Sequence, residues 1–221
     1  MFDIILFAVF PYVAISLAVI VGIYRLKTDS FSFSAHSSQF FESRRLFWGS
    51  VPWHFAIILV LLAHLLAFLF PAAWGALAGK PIRLYLLEIT GLALGVMTVI
   101  GLAQLMLRRA GEPRVHVVTT KMDWVVLVLL LAQVVSGVVI AWTLRWGSVW
   151  YLHTATPWLW SLLQFNPQVE YIAALPNIVK FHAFNAFLLI AVFPFSRLVH
   201  AAAVPLGYLW RSPQLVLWNR R

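Results

Sequence analysis

The sequence predicts an all-α integral membrane protein, a bundle of five transmembrane helices forming one domain over residues 1–221. Three observations predict the bundle. Of the 221 residues, 62% are hydrophobic and only 10% are charged, whereas a soluble domain carries about 25% charged residues. The apolar residues gather into five long runs, each near the ~20 residues a helix needs to cross a hydrocarbon core about 30 Å thick. In lipid every backbone N–H and C=O must be satisfied within its own segment, so such runs are helices. Apart from Glu88, Lys180 and Arg197 the charges fall between the runs, and Lys and Arg favour alternate loops.

The first span is expected over residues 4–24. Asp3 is the only charge before it, so it lacks the basic start of a signal peptide and reads as a retained helix. A polar loop with Arg25, Lys27, Arg44 and Arg45 follows. The second span, residues 47–70, carries His54 and His64. Residues 71–83 read as a short loop, and the third span as residues 85–107, closed by Arg108 and Arg109. Another polar loop leads to Lys121 and Asp123, then to the fourth span, residues 124–142. The connection 143–176 is long and holds Trp146, Trp150, Trp158 and Trp160, a density that suits the headgroup region. The fifth span covers residues 177–200 and is followed by a basic tail, 201–221.

Five spans place the termini on opposite sides. All but four of the 16 Lys and Arg residues fall on one side; Lys80, Arg83, Arg145 and Lys180 fall on the other. The positive-inside bias therefore puts the N-terminus outside and the tail in the cytoplasm of a multi-pass protein of the cell's inner membrane. The net charge of +9 is a topology signal, and no nucleic-acid partner is expected. The chain has no cysteine, which excludes a thiolate-held iron–sulfur cluster and a C-x-x-C-H haem attachment.

Ionisable residues inside a membrane mark function. His182 and His200 lie on the fifth span; on a continuous helix their spacing is five whole turns, about 27 Å of rise with both imidazoles on one face. On the antiparallel second span, His54 and His64 are separated by about 15 Å and share a broad face. Pairing by height matches His54 with His200 and His64 with His182, with about 12 Å of difference in rise to be absorbed by slanted ligand axes and tilt. Two bis-histidine sites stacked across the membrane suit the iron of two b-type haems, with Ala56, Ala63, Ala67, Ala183 and Ala186 as small neighbours. Two histidines without a carboxylate or thiolate make a poor zinc site. His36, His116 and His153 read as loop residues, Met97 and Met106 as core. Gly91 and Gly95, four apart, read as a close helix contact. Arg197, three residues before His200, and Arg114 in a cytoplasmic loop are candidates for binding haem propionates.

Several segments carry a resemblance: S-S-Q at 37–39, W-H-F-A-I-I-L-V-L-L-A-H at 53–64, T-T-K-M-D at 119–123, F-P-F-S-R-L-V-H at 193–200, and V-P-L-G-Y-L with Q-L-V in the tail. With them the chain resembles the gamma subunit of respiratory nitrate reductase, a membrane dihaem cytochrome b, over nearly its whole length. Connection 143–176 shows little likeness. The resemblance implies that His54, His64, His182 and His200 ligate two b haems. It implies that quinol is oxidised at the outer haem. Electrons then pass inward to a cytoplasmic iron–sulfur (beta) subunit and on to a molybdenum catalytic (alpha) subunit. Where the family has a lysine before the third helix, this chain has Arg83, the first candidate for a quinol contact; Glu88 and Lys180 stand beside it. Three other readings compete: a cytochrome b of the same build serving another terminal reductase, such as a sulfur-compound enzyme; a non-haem anchor for a soluble enzyme; and a histidine-lined transporter.

Overall fold

The computed structural model describes residues 2–29 and 44–202, and the described residues form helices and turns without strands. The S-S-Q segment, His36, and the tail with Arg211, Arg220 and Arg221 lie outside the described residues. Five of the described helices are long and apolar enough to cross a membrane. Helix α1 runs Phe2–Thr28, with a π-helical turn at Ile5–Val9. The other long helices are α2, Arg44–Leu69; α4, Pro81–Gly111; α6, Lys121–Thr143; and α10, Asn177–Val192. Short helices lie between them: α3, Pro71–Ala78; α5, Pro113–Val117; α7, Gly147–His153; α8, Ala155–Leu163; and α9, Glu170–Ala173.

The first four long helices outrun the apolar windows because helical hydrogen bonds continue past the apolar run until a stop signal. Helix α4 starts with Pro81 in its first turn and continues through Arg108 and Arg109 to Gly111. Proline fits a first turn, where no N–H is needed, and cations suit a C-terminus. Helix α6 opens on a capping box: the Thr120 hydroxyl accepts from Asp123 N–H, and Asp123 Oδ2 accepts from Thr120 N–H at 2.9 Å.

One expectation about the connections is corrected. Residues 71–83 are not a loop; Pro71 and Pro81 each begin a helix. Connection 143–176 folds into three short helices, and Trp158 is packed inside the protein. It is 2% exposed, edge-on to both Phe7 and Phe187. Its indole N–H donates to Phe7 O at 2.9 Å. Four residues after Phe7 stands Pro11, which has no N–H to give that carbonyl, so the indole replaces a missing helical bond. Trp160 likewise donates to Phe68 O and Trp150 to Leu144 O, tying the connection to helix ends.

Two cores result. Phe7, Trp158, Leu162, Ile172, Phe187 and Ala191 join α1, α8, α9 and α10. Trp53, Leu102 and Val134 join α2, α4 and α6, with Met106 packed on them as expected. Of the two glycines read as a close helix contact, Gly95 makes one: a Cβ there would lie 3.0 Å from Val138 of α6, whereas a Cβ at Gly91 meets nothing within 4 Å. A tighter contact is Gly49 against Gly101, where a Cβ on Gly101 would lie 2.9 Å from Trp53 N and 3.0 Å from Gly49 O. Helix α2 packs on α4, and α10 on α6 and α1, whereas α2 and α10 make no extensive contact with each other. Three of the four histidines of interest stand on those two elements: His54 and His64 on α2, and His182 on α10. Of the alanines expected beside a haem, Ala56 and Ala67 are fully buried in helix packing.

Candidate functional site

His54 sits in the first half of α2. Its Nδ1–H donates to Ser50 O at 2.8 Å, four residues back, and Ser50 Oγ lies 3.1 Å from the same nitrogen. His64 repeats the arrangement with Val60 O at 2.8 Å. Tying Nδ1 to a carbonyl fixes the tautomer and leaves Nε2 as the free electron pair.

His200 is not on a continuous fifth helix, and here the five-turn reasoning fails. Helix α10 ends at Val192; a 3₁₀ turn, Phe193–Phe195, contains Pro194, then Ser196 is extended, and a second 3₁₀ turn, Arg197–Ala201, carries His200. Proline cannot continue the ladder, and the break redirects the chain. Arg25 of α1 donates to the carbonyls of Pro194 at 2.7 Å and Ser196 at 3.1 Å, while Ser196 Oγ accepts from Leu198 N–H. The redirected turn sets His200 opposite His54, with ring centroids 6.3 Å apart and planes at 67°. His200 Nδ1–H donates to Arg197 O at 2.6 Å. Both rings therefore keep Nε2 available. Two imidazoles on opposite sides of one metal ion, each about 2 Å from it through nitrogen, have centroids about 6 Å apart.

At the other height, His182 lies on α10 and His64 on α2. Its neighbours are on α6. Ser136 Oγ gives its proton to Gln133 O at 2.9 Å, so it accepts from His182 Nδ1–H, also at 2.9 Å. Gln133 Nε2 donates to His182 Nε2 at 3.1 Å, and Gln133 Oε1 accepts from Asn185 Nδ2 at 2.8 Å. The ring lies against Gly137, where a Cβ would come 3.1 Å from His182 Cε1. Any ligand taken by His182 Nε2 would have to replace the Gln133 contact. His64 is edge-on to Tyr151 of α7 at 5.7 Å; burial raises the Tyr151 phenol above its ordinary value, keeping it neutral beside the imidazole. Among the described residues no group of three or more His, Cys, Asp or Glu gathers around one point. The two pairs thus offer two nitrogen ligands each.

The other candidates are dispersed. Arg83, in the first turn of α4, is exposed. Glu88 caps the start of α7, accepting from Ser148 N–H at 2.9 Å and Gly147 N–H at 3.3 Å. Lys180 pairs with Asp3 at 3.4 Å. Arg114 is exposed on α5. The Arg197 guanidinium faces Asp123 and Val118 O instead of the space between the histidines. His116 and His153 are exposed, as solvated residues are, but they lie on the short helices α5 and α7 and not in loops.

Compared with known proteins, residues 3–219 match the model of the nitrate reductase gamma subunit family. The chain belongs to that family. It is 30% identical over 220 residues to the nitrate reductase gamma chain of Bacillus subtilis, covering 98% of each chain. It is 29% identical over 214 residues to the respiratory nitrate reductase 1 gamma chain of Escherichia coli, covering 95% of each. It is also 32% identical over 218 residues to the nitrate reductase-like protein NarX of Mycobacterium tuberculosis; that match covers 96% of this chain but spans only 33% of NarX. As a gamma-family chain with five membrane-spanning helices, it is a multi-pass protein of the cell membrane.

In this gamma-family chain two groups of site neighbours escaped the sequence reading. Gln133, Ser136 and Asn185 are uncharged polar residues inside apolar runs, and that alone marks them: a polar side chain in a span is there to meet a partner. Gln133 and Ser136 are three apart and so share a face, as do His182 and Asn185. The Arg109–Asp123–Arg197 cluster had no such signal, because charges at the ends of spans are ordinary.

Proposed function

We propose that this chain is the dihaem cytochrome b subunit of a membrane nitrate reductase, taking electrons from quinol near the outer face and passing them inward to an iron–sulfur subunit. The observation that carries the reading is the His54–His200 pair: two imidazoles on separate segments, 6.3 Å apart, each with Nδ1 tied to a carbonyl. That donor set would suit a b-type haem and supplies too few ligands for a structural zinc. His64 and His182 are the second pair, with Gln133 released from His182 Nε2. Haem bound at each pair supplies a one-electron carrier.

The remaining steps belong to the chain's own residues. The excess of Arg at the His54–His200 end supports placing that end in the cytoplasm. Quinol docking at the opposite end then loses its protons outward while electrons cross inward, and each charge moved is worth about 2.3 kcal/mol per 100 mV. Arg83 is the donor to a quinol oxygen; a guanidinium stays protonated and cannot be the base. Glu88 and Lys180 act first as holders of α7 and of the start of α10, through the contacts they already make. Because the chain lacks cysteine, the cluster that receives electrons lies on a partner, with the molybdenum catalytic subunit beyond it. Arg114 on the inner rim is the cation left for a propionate.

A pyridine haemochrome assay on the detergent-extracted protein tests the reading: two haems per chain are expected. His200→Ala or His54→Ala should remove one haem and leave one. No haem in the unaltered protein sinks the proposal, and two haems in the His200 variant sink the pairing.

A further inference from the structure

Asp123 lies at the start of α6, far in sequence from His200, and no role in ligation or electron transfer has been assigned to it above. It is 8% exposed, a buried carboxylate at the inner rim. Its Oδ1 meets Arg197 Nε at 3.3 Å; its Oδ2 meets Arg109 Nη1 at 3.3 Å and accepts from Thr120 N–H at 2.9 Å. The Arg197 guanidinium is fixed a second time, through Nη2 to Val118 O at 3.0 Å. The Arg197 carbonyl in turn accepts the proton of His200 Nδ1 at 2.6 Å. A chain of contacts therefore runs from the Asp123 carboxylate through the Arg197 side chain to its carbonyl, and from there to the imidazole.

We infer that Asp123 is the positioning residue for His200, the clamp that aims this imidazole at its partner across the gap. The physical need is clear. His200 rides on a short 3₁₀ turn after a proline break, where hydrogen-bond geometry is poorer than in an α-helix and the ring direction is not set by a helical ladder. A turn of that kind holds one orientation only if other elements fix it. Arg25 fixes the Pro194–Ser196 side of the break; Asp123 fixes the side that bears the ligand. The planar guanidinium fork suits this work, meeting a carboxylate through Nε and a carbonyl through Nη2 at once. Without the carboxylate, Arg109 and Arg197 would be left as two like charges beside one another, and the turn would be pushed away from α6. The conclusion also absorbs the T-T-K-M-D segment: Thr120 and Asp123 build the capping box that holds the carboxylate in place.

The inference rests on His200 being a haem ligand, and the experiment separates the two. In the membrane-extracted holoprotein, the His54→Ala variant first identifies which low-temperature absorbance and EPR signals belong to the inner haem; if that variant keeps both haems, the ligand reading fails, not the clamp. Asp123→Asn should then shift or split the inner signal, or lower its occupancy, and leave the outer signal unchanged. Asp123→Glu should restore most of the unaltered spectrum. The double variant Asp123→Asn with Arg197→Gln removes one charge of each sign; the inner signal should stay perturbed in it. An Asp123→Asn spectrum identical to the unaltered protein overturns the clamp. So does loss of both haems together, which makes Asp123 a general stability residue. Recovery of the unaltered inner signal in the double variant overturns it as well, because charge alone would then account for the effect.

Discussion

Replacing Gly101 with alanine tests the helix contact on which His54 depends. A Cβ there would lie 2.9 Å from Trp53 N, 3.0 Å from Gly49 O and 3.1 Å from Trp53 Cα. All three are backbone atoms, so no side chain can swing away to make room. Ordinary contact begins near 3.4 Å, so α2 and α4 must part by about half an ångström at this crossing. Overpacking of that kind costs about 1–3 kcal/mol, or about 5- to 150-fold in the folded-to-unfolded ratio. Trp53 immediately precedes His54 in the chain, so the displacement reaches the inner imidazole directly. Gly91→Ala is the control: it lies on the same helix, meets nothing within 4 Å, and should be neutral or slightly stabilising, since alanine is the better helix former. The assay is thermal unfolding of the detergent-extracted protein, followed by far-UV circular dichroism and by haem absorbance. Gly101→Ala should melt several degrees lower, with the inner haem signal altered. Equal midpoints for the Gly101 and Gly91 variants would refute the argument.

Other perturbations reach different parts of the molecule. Trp158→Phe keeps the aromatic packing but leaves the buried Phe7 carbonyl without its indole donor, and should cost about 1–3 kcal/mol in the same melting experiment. Ser136→Ala removes the acceptor of His182 Nδ1–H; a less electron-rich imidazole should raise the reduction potential of the outer haem alone in a redox titration. Arg83→Ala should leave both haems in place, slow their reduction by a quinol analogue, and weaken quinol-site inhibitors; an unchanged rate would move the quinol site away from the start of α4.

What the sequence could announce follows from the range over which each signal acts. Apolar length and loop charge act locally, so the five spans and the histidines on them were legible. Helix ends were less so: Arg108 and Arg109 look like a boundary because they end the apolar run, yet the backbone ladder continues to Gly111. Pro194 was visible and announces the break in the fifth span, but the new direction of the chain depends on Arg25 and Asp123, which are remote in sequence. The pairing of His54 with His200 was therefore reached by an argument whose geometry does not hold: continuous helix would have kept the 12 Å mismatch, and the break removes that premise. The three helices of 143–176 were hidden because segments of seven, nine and four residues are too short for a period to be read from them.

The two histidine pairs are held by different chemistry, and their depth explains it. The inner turn is fastened by charged groups, Arg25, Arg109, Arg197 and Asp123, at a membrane end where cations are tolerated and water can reach their outer edges. His182 lies inside α10 and α6, where an unpaired charge would be far more costly. Its fixings are neutral: a serine hydroxyl and a glutamine amide that each donate and accept, and an asparagine amide that donates to Gln133 Oε1 and Leu129 O. A neutral network holds a ring as firmly as an ion pair does, provided every member is satisfied. It also lets go more easily, because exchanging one amide contact strands no charge. The inner imidazole is thus aimed by a clamp that stays closed, and the outer one by a network with an exchangeable member, Gln133, at the nitrogen that a ligand would take.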